Sequence, residues 1–231
     1  MTTTRSVRID PKTPVRVTSR SGAVSVTGEN RDDVLVESGA DHVAPGPAGL
    51  EIFGRSGAVV VRCPVGTDVF VGSASGSVEL HGQLGDARVT TASGSIVIEA
   101  ATRVEARTGS GSIEVGDCAG DCRCHSGSGQ LQVGRAGSVD LATGSGSVEA
   151  EHVGAAQVRA GSGSVNVGLT APGSVVVEAH SGSVTVTVPH DMHPEVDLRA
   201  RSGSVRCDCE AGLDGRIRVS TGSGAITVTT R

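Results

Sequence analysis

The sequence contains no Trp, no Tyr and only two Phe, Phe53 and Phe70, among its 231 residues. Large rings and Leu normally dominate a packed interior, so the core of this chain has to be made from Val, Ile, Ala and smaller side chains. The same scarcity removes the aromatic platforms on which a sugar-binding groove stacks its ligand. Lys is nearly absent as well: Lys12 stands alone, and the remaining basic residues are Arg. Acids and bases are interspersed at a formal net charge of −5, which offers no electrostatic footprint for nucleic acid. No apolar run reaches the length of a membrane span. The opening MTTTRSVRIDPKTPVRV has neither the apolar stretch nor the cleavage pattern of an export signal. These absences set the expectation of a cytoplasmic protein without a membrane span.

What the chain does have is Gly, 34 of them, and a repeat. The turn reads SGSV at Ser75, SGSI at Ser93 and Ser110, SGQL at Ser128, SGSV at Ser145, Ser162, Ser181 and Ser202, and SGAI at Ser223, with SGAV at Ser21 and Ser56. From Gly76 to Gly224 the turn glycines are spaced 18, 17, 18, 17, 17, 19, 21 and 21 residues apart. A near-constant period of this length is the signature of stacked coils. Seven and five residues before each glycine stand apolar pairs such as Val69/Val71, Cys122/Cys124 and Ile217/Val219. Two and four residues after it stand pairs such as Val78/Leu80, Val184/Val186 and Ile226/Val228. Alternation with period 2 puts each pair on one face of a strand. The fold class that follows is all-β: a single-stranded parallel β-solenoid, or β-helix, with coils of about 18 residues and little or no helix.

Residues 56–231 form about nine regular coils on this reading, and residues 1–55 form irregular N-terminal coils or a cap, in one continuous domain. Outward residues six before the turn glycine read Arg88, Glu105, Arg123 and Asp140 in consecutive coils. Opposite charges are therefore expected to meet rung by rung, supporting register at little energy per exposed pair.

In this repeat the chain resembles the bacterial putative-adhesin domains of unknown function, whose sequences repeat tGSGsV-type units. The stretch VVVRCPVGTDVFVGSASGSVEL, Val59 to Leu80, is similar to that family's strand, Pro, Gly-Thr, strand, Ser-Gly passage, and VTVPHDMHPEVDLRARSGSV, Val186 to Val205, repeats it. The resemblance covers nearly the whole chain. It implies a β-helix or β-solenoid and brings no established catalytic residues.

Six cysteines offer the most tempting chemistry: Cys63, Cys118, Cys122, Cys124, Cys207 and Cys209. The CxxxCxCH run ending at His125 presents thiolate and imidazole donors that Zn²⁺ or Cu⁺ accepts, so Cys118, Cys122, Cys124 and His125 are the metal or redox candidates. Against this, Cys122, Cys124 and Cys207 occupy positions filled elsewhere by Val, Ala, Leu or Ile, where Cys acts as a small hydrophobe. The coils of Cys122 and Cys207 are four turns apart in sequence, on the order of 19 Å, too far to share an ion. Core packing is the expectation, with no cofactor. Glu79, Glu114 and Glu149 share one outward position but have no second repeating group beside them, which reads as a solvated face rather than a hydrolase site. His190 and His193 lie in a Pro-bounded loop. One serine per coil is a corner device, since a nucleophile would occur once, and no P-loop or dinucleotide fingerprint is present.

The chain therefore reads as a structural or interaction scaffold and not as an enzyme. Its last strand, with Ala225, Ile226, Thr227 and Val228, is expected to leave an open backbone edge. That edge would pair with a protein partner or with another copy, in dimers or head-to-tail assemblies. The alternatives are a ligand- or carbohydrate-binding solenoid, and a metal- or redox-responsive regulator using Cys118, Cys122 and Cys124.

Overall fold

A computed structural model describes residues 5–7 and 13–231, and among them there is no helix. The chain divides into two compact units, Met1–Cys118 and Ala119–Arg231. The first holds β1 (Arg5–Val7), β2 (Val15–Ser21), β3 (Val24–Glu29), β4 (Val34–Ser38), β5 (His42–Gly46), β6 (Gly49–Ser56), β7 (Val59–Pro64), β8 (Val69–Ser75), β9 (Val78–Ser93), β10 (Ile96–Ser110) and the start of β11 (Ile113–Ser128). The second holds the rest of β11, then β12 (Leu131–Ser145), β13 (Val148–Ser162), β14 (Val165–Leu169), β15 (Ser174–Ser181), β16 (Val184–Val188), β17 (Glu195–Ser202), β18 (Val205–Cys207), β19 (Arg216–Ser223) and β20 (Ile226–Thr230).

The strands form where apolar and polar residues alternate and where Val and Ile are frequent. In β3 the buried residues are Val24, Val26 and Gly28; in β16 they are Val184, Val186 and Val188. Neighbouring coils pair in parallel and in register, so like sits on like: Val148 beside Val165, Val165 beside Val184. Each coil is a strand, a Ser-Gly corner and a second strand, which is the β-solenoid that the repeat implies. The expected charge ladder is present where it lies within the first unit: Arg88 faces Glu105 in register and pairs with it at 2.7 Å.

A row of small polar side chains three residues before the corner glycines was not anticipated. Ser19, Ser73, Thr91, Thr108, Ser126, Thr143 and Thr221 are buried there. Several donate to corner carbonyls, Thr108 Oγ1 to Gly94 O at 3.1 Å and Thr221 Oγ1 to Ser223 O at 3.2 Å. The Ser73 and Thr91 hydroxyls of the same row are buried without a hydrogen-bond partner, and Ala160 and Ala179 fill the same offset, so what the row shares is small size. The signal was readable as the persistence of Ser, Thr, Ala or Gly at that offset.

The order of coils does not follow the order of the sequence. In the first unit β2 pairs with β6 on one side and β8 on the other, and β3 likewise lies between β7 and β9. The first coil is thus the second rung, and the coil around Gly57 lies outside it. Corner hydrogen bonds run in the same order, from Gly57 N to Ser21 O at 3.3 Å, Gly22 N to Ser75 O at 3.1 Å and Gly76 N to Ser93 O at 3.3 Å. The outer edge of this end is covered: β5 lies antiparallel on β6, β4 antiparallel on β7, and β1 on β4. Antiparallel cover of this kind removes the free edge that a terminal coil would otherwise present.

The second unit repeats the interleaving at its far end. β15 pairs with β19 and β16 with β20, at a sequence offset of 42 from Val175 to Ile217. β17 and β18 then lie outside β19 and β20. The two passages singled out in the sequence lie where the chain skips a rung, between β7 and β8 and between β16 and β17. Pro64 to Thr67 is a turn closed by Thr67 N to Pro64 O at 3.2 Å and sealed by the buried Thr67 hydroxyl on the same carbonyl at 2.7 Å. Pro189 to Met192 closes the same way at 3.1 Å, with Met192 buried beneath it.

Candidate functional site

The interleaving relocates the open edge. Ile226 and Val228 are fully buried, and β20 is paired on both sides, Val184 and Val205 flanking Ile226. The expectation that Ala225 to Val228 form the free edge is therefore corrected: the strand that is last in sequence is the penultimate rung, because β16 passes over its place before β20 fills it. The exposed end belongs to β17 and β18, and among the described residues no strand lies on their outer side.

That end has the composition of a core cut open. Val196, Leu198 and Ala200 point inward but are only half-buried, and Val205 is 47 % exposed, while their register partners Ile217, Val219 and Ile226 are 0 % exposed. The Glu195 N–H donates inward to Gly215 O at 2.8 Å. Because backbone groups alternate sides along a strand, the groups of Val196, Leu198 and Ala200 face outward. The connection from β18 to β19 bounds this window on one side, its Gly212 N–H donating to the outward carbonyl of Pro194 at 3.2 Å. The corner at Gly203 bounds it on the other. The outward side chains of β17 run Glu195, Asp197, Arg199, Arg201, two acids and then two bases. Arg199 folds onto Asp197 at 2.9 Å, Arg216 reaches Glu195 at 2.7 Å, and Arg218 lies 3.5 Å from Asp197.

The cysteines separate into two kinds. Cys122 and Cys124 fill core positions of β11 with their sulfurs 3.6 Å apart, and strand alternation turns His125 to the opposite face. Cys118 is buried in the first unit with its sulfur 3.8 Å from Thr102 O. No group of three or more His, Cys, Asp or Glu that could hold a metal ion occurs among the described residues. Cys63 is buried against Thr27 O, and burial pushes its thiol up to about 11. Cys207 and Cys209 lie at the open end, with sulfurs 3.0 Å apart. The interposed rung places Cys207 one coil further from Cys122 than sequence order suggests. Burial, and then the hydrogen bond shared with Cys207, pushes the Cys209 thiol up to about 11. Iodoacetamide applied to the native protein is expected to label Cys207 and Cys209 and spare the four others. Labelling of Cys209 should rise about tenfold per pH unit between pH 8 and 10, as its thiolate fraction does. Mass spectrometry of the peptides reads both; fast labelling at Cys122 or Cys124 would contradict their burial.

The remaining acids do not converge. Glu149 lies in register with Gln132 and Asn166, and Glu79 has the His81 ring 3.6 Å away. His193 sits between Glu210 at 3.6 Å and Asp214 at 3.5 Å, a polar lining of the end loop. A shallow groove of about 340 Å³ runs over the outer face of the second unit, lined by Asp121, Arg123, Ser138, Asp140 and Gln157 among others. Its depth comes from small residues, Ser138 and Ala155 stacked in register. One buried oxygen there, Asp140 Oδ1, has no hydrogen-bond partner.

A family model, Toastrack DUF4097, matches residues 4–230. The chain belongs to the Toastrack DUF4097 family. Two solved structures share the fold of this Toastrack chain. One is a putative adhesin from Bacteroides fragilis NCTC 9343, 11 % identical, covering 99 % of this chain and 97 % of its own, with a TM-score of 0.57. The other is a putative lipid binding protein from Parabacteroides distasonis ATCC 8503, 12 % identical, covering 97 % and 96 %, with a TM-score of 0.59. No curated protein matches it in sequence. At such identities the likeness speaks to fold alone. Among the described residues no helix is long and apolar enough to cross a membrane.

Proposed function

We propose that the protein works by strand addition: the outer edge of β17 and β18 takes up an extended segment of a protein partner, which continues the sheet and covers Val196, Leu198, Ala200 and Val205. The observation that carries this reading is the contrast between the outer coils of the two units. The first unit's outer coil is sheathed by β4 and β5, whereas β17 keeps outward backbone groups over half-exposed core residues. Unpaired edges with such groups are ready templates for another strand. Ligand binding in the side groove has less support. That groove is shallow, its lining mixes polar residues with Val139, Ala155, Ala156 and Val176, and it has no aromatic platform.

The test is a selection of ten-residue displayed peptides on the full chain, repeated on Ala200→Pro. The replaced N–H faces outward, so the internal ladder to β19 is kept, and edge strands tolerate Pro. Selected peptides are expected to slow amide exchange at Val196, Leu198 and Ala200 and to lose binding to Ala200→Pro. Peptides that bind both proteins equally, or a selection that yields none, would overturn strand addition at this edge.

A further inference from the structure

Resting on the reading of β17 as a pairing edge, we propose that the strand it takes up is β17 of a second copy of this chain, antiparallel and centred on Leu198, in a two-fold dimer joined at the β17–β18 end.

Three independent features meet at Leu198. The first is the free window. Outward backbone groups belong to Val196, Leu198 and Ala200, bounded by the loop on Pro194 and by the corner at Gly203. This window is symmetric about Leu198, so an antiparallel pair of windows overlaps completely only when Leu198 faces Leu198. Val196 then faces Ala200 of the second copy, and each facing pair exchanges two backbone hydrogen bonds.

The second feature is charge. In the Leu198-centred register Glu195 faces Arg201 of the second copy and Asp197 faces its Arg199. Centring on Asp197 sets that carboxylate against itself, and centring on Arg199 does the same for a guanidinium; like charges directly opposite are destabilising. Centring between residues sets inward side chains opposite outward ones and is excluded by the pleat. One register therefore satisfies every outward pair, and it is the register chosen by the window.

The third feature is that the pattern is confined to the edge. The equivalent outward residues of β19, one rung in, read Arg216, Arg218, Ser220, Gly222, and those of β15 read Ser174, Val176, Glu178, His180. Neither is self-complementary. Within the single chain Arg199 is satisfied by Asp197 on its own strand, while Arg201 makes no ion pair among the described residues. The dimer gives Arg201 a carboxylate and encloses Leu198 against its own copy. An interface of this kind is isologous and closes at two subunits, whereas head-to-tail stacking would continue.

The experiment uses the full chain in a Cys207→Ser/Cys209→Ser background, which removes the exposed thiols. Facing residues of a hydrogen-bonded antiparallel pair have Cα atoms about 5.5 Å apart, inside disulfide range. Leu198→Cys is expected to cross-link most of the protein into covalent dimers under mild oxidation. Val196→Cys and Ala200→Cys are each expected to fail alone and to cross-link when combined. In sedimentation, Asp197→Arg is expected to raise the dimer dissociation constant about tenfold, since two facing pairs turn repulsive, and Asp197→Arg/Arg199→Asp to restore it. Circular dichroism checks that each variant is folded. A wild-type protein that stays monomeric at millimolar concentration, or a dimer that cross-links at Val196→Cys alone but not at Leu198→Cys, overturns the proposal. If Ala200→Pro still abolishes peptide binding in that case, self-pairing has failed and strand addition stands. If Ala200→Pro binds peptides as the wild type does, the edge itself has been misassigned.

Discussion

Ile226→Asp is expected to unfold the end of the second unit, while Val205→Asp, at its register partner, leaves the protein folded. The two residues share the same position after the corner glycine and face each other on β20 and β18. Ile226 is 0 % exposed and is packed between Val184 and Val205; Val205 is 47 % exposed. Removing the Ile side chain costs about 2–4 kcal/mol by comparison with other large-to-small core changes. A carboxylate placed in the same site has no partner, and it must either be desolvated or take up a proton, at a further several kcal/mol. A total of roughly 5 kcal/mol or more rivals the whole stability of an ordinary domain. At Val205 about half of the apolar area is already in water, so the change is expected to cost about 1 kcal/mol or less. Urea denaturation followed by circular dichroism checks both. Equal costs, or a milder effect at Ile226, would mean that β20 and not β18 is the outer rung.

The inward direction of the apolar pairs flanking each corner was legible in the sequence, because a strand's period of 2 and a fixed corner set it once the glycine is located, whereas the buried row three residues before the glycine was not. Cys122 and Cys124 were placed in the core by that rule and lie there. The order of the coils was not legible, for a physical reason. The rungs present small apolar side chains, mostly Val and Ile, at the same offsets, so Val184 packs as well under Ile226 as it would under Val205, and no local preference names the neighbour. Coil identity resides in the connections instead. Regular coils repeat every 17 to 19 residues, and the two steps across the interleaved end each take 21. Pro64–Thr67 and Pro189–Met192 close alike, and each sits where the chain passes a rung. Both passages were recognised as a repeated motif; what they do became clear only with the register. The candidate edge shared this fate. Val196, Leu198 and Val205 were read as inward and are inward, but their exposure depends on which rung is last, which the alternation cannot say.

The companion change at the other end tests the same interleaving in the first unit. Gly22→Ala is expected to destabilise far more than Gly57→Ala, although both glycines occupy the same corner position. Their φ values are 137° and 126°, conformations that an L-residue adopts only with strain, worth about 1–3 kcal/mol at either site. The difference is in what the new methyl meets. A Cβ at Gly22 would run into the carbonyl oxygen of Gly57 on the adjoining rung, whereas a Cβ at Gly57 meets nothing within 4 Å. Relieving the clash at Gly22 means parting two rungs that are held by Gly57 N to Ser21 O at 3.3 Å and Val59 N to Ala23 O at 2.9 Å. Losing such bonds in a part-buried ladder adds about 1 kcal/mol each, so Gly22→Ala is expected to cost about 3–5 kcal/mol against about 1–3 for Gly57→Ala. If coils stacked in sequence order, Gly22 would occupy the outer rung and the ranking would invert. Equilibrium unfolding of the two variants thus reads the stacking order directly from a methyl group, without any probe of the partner surface.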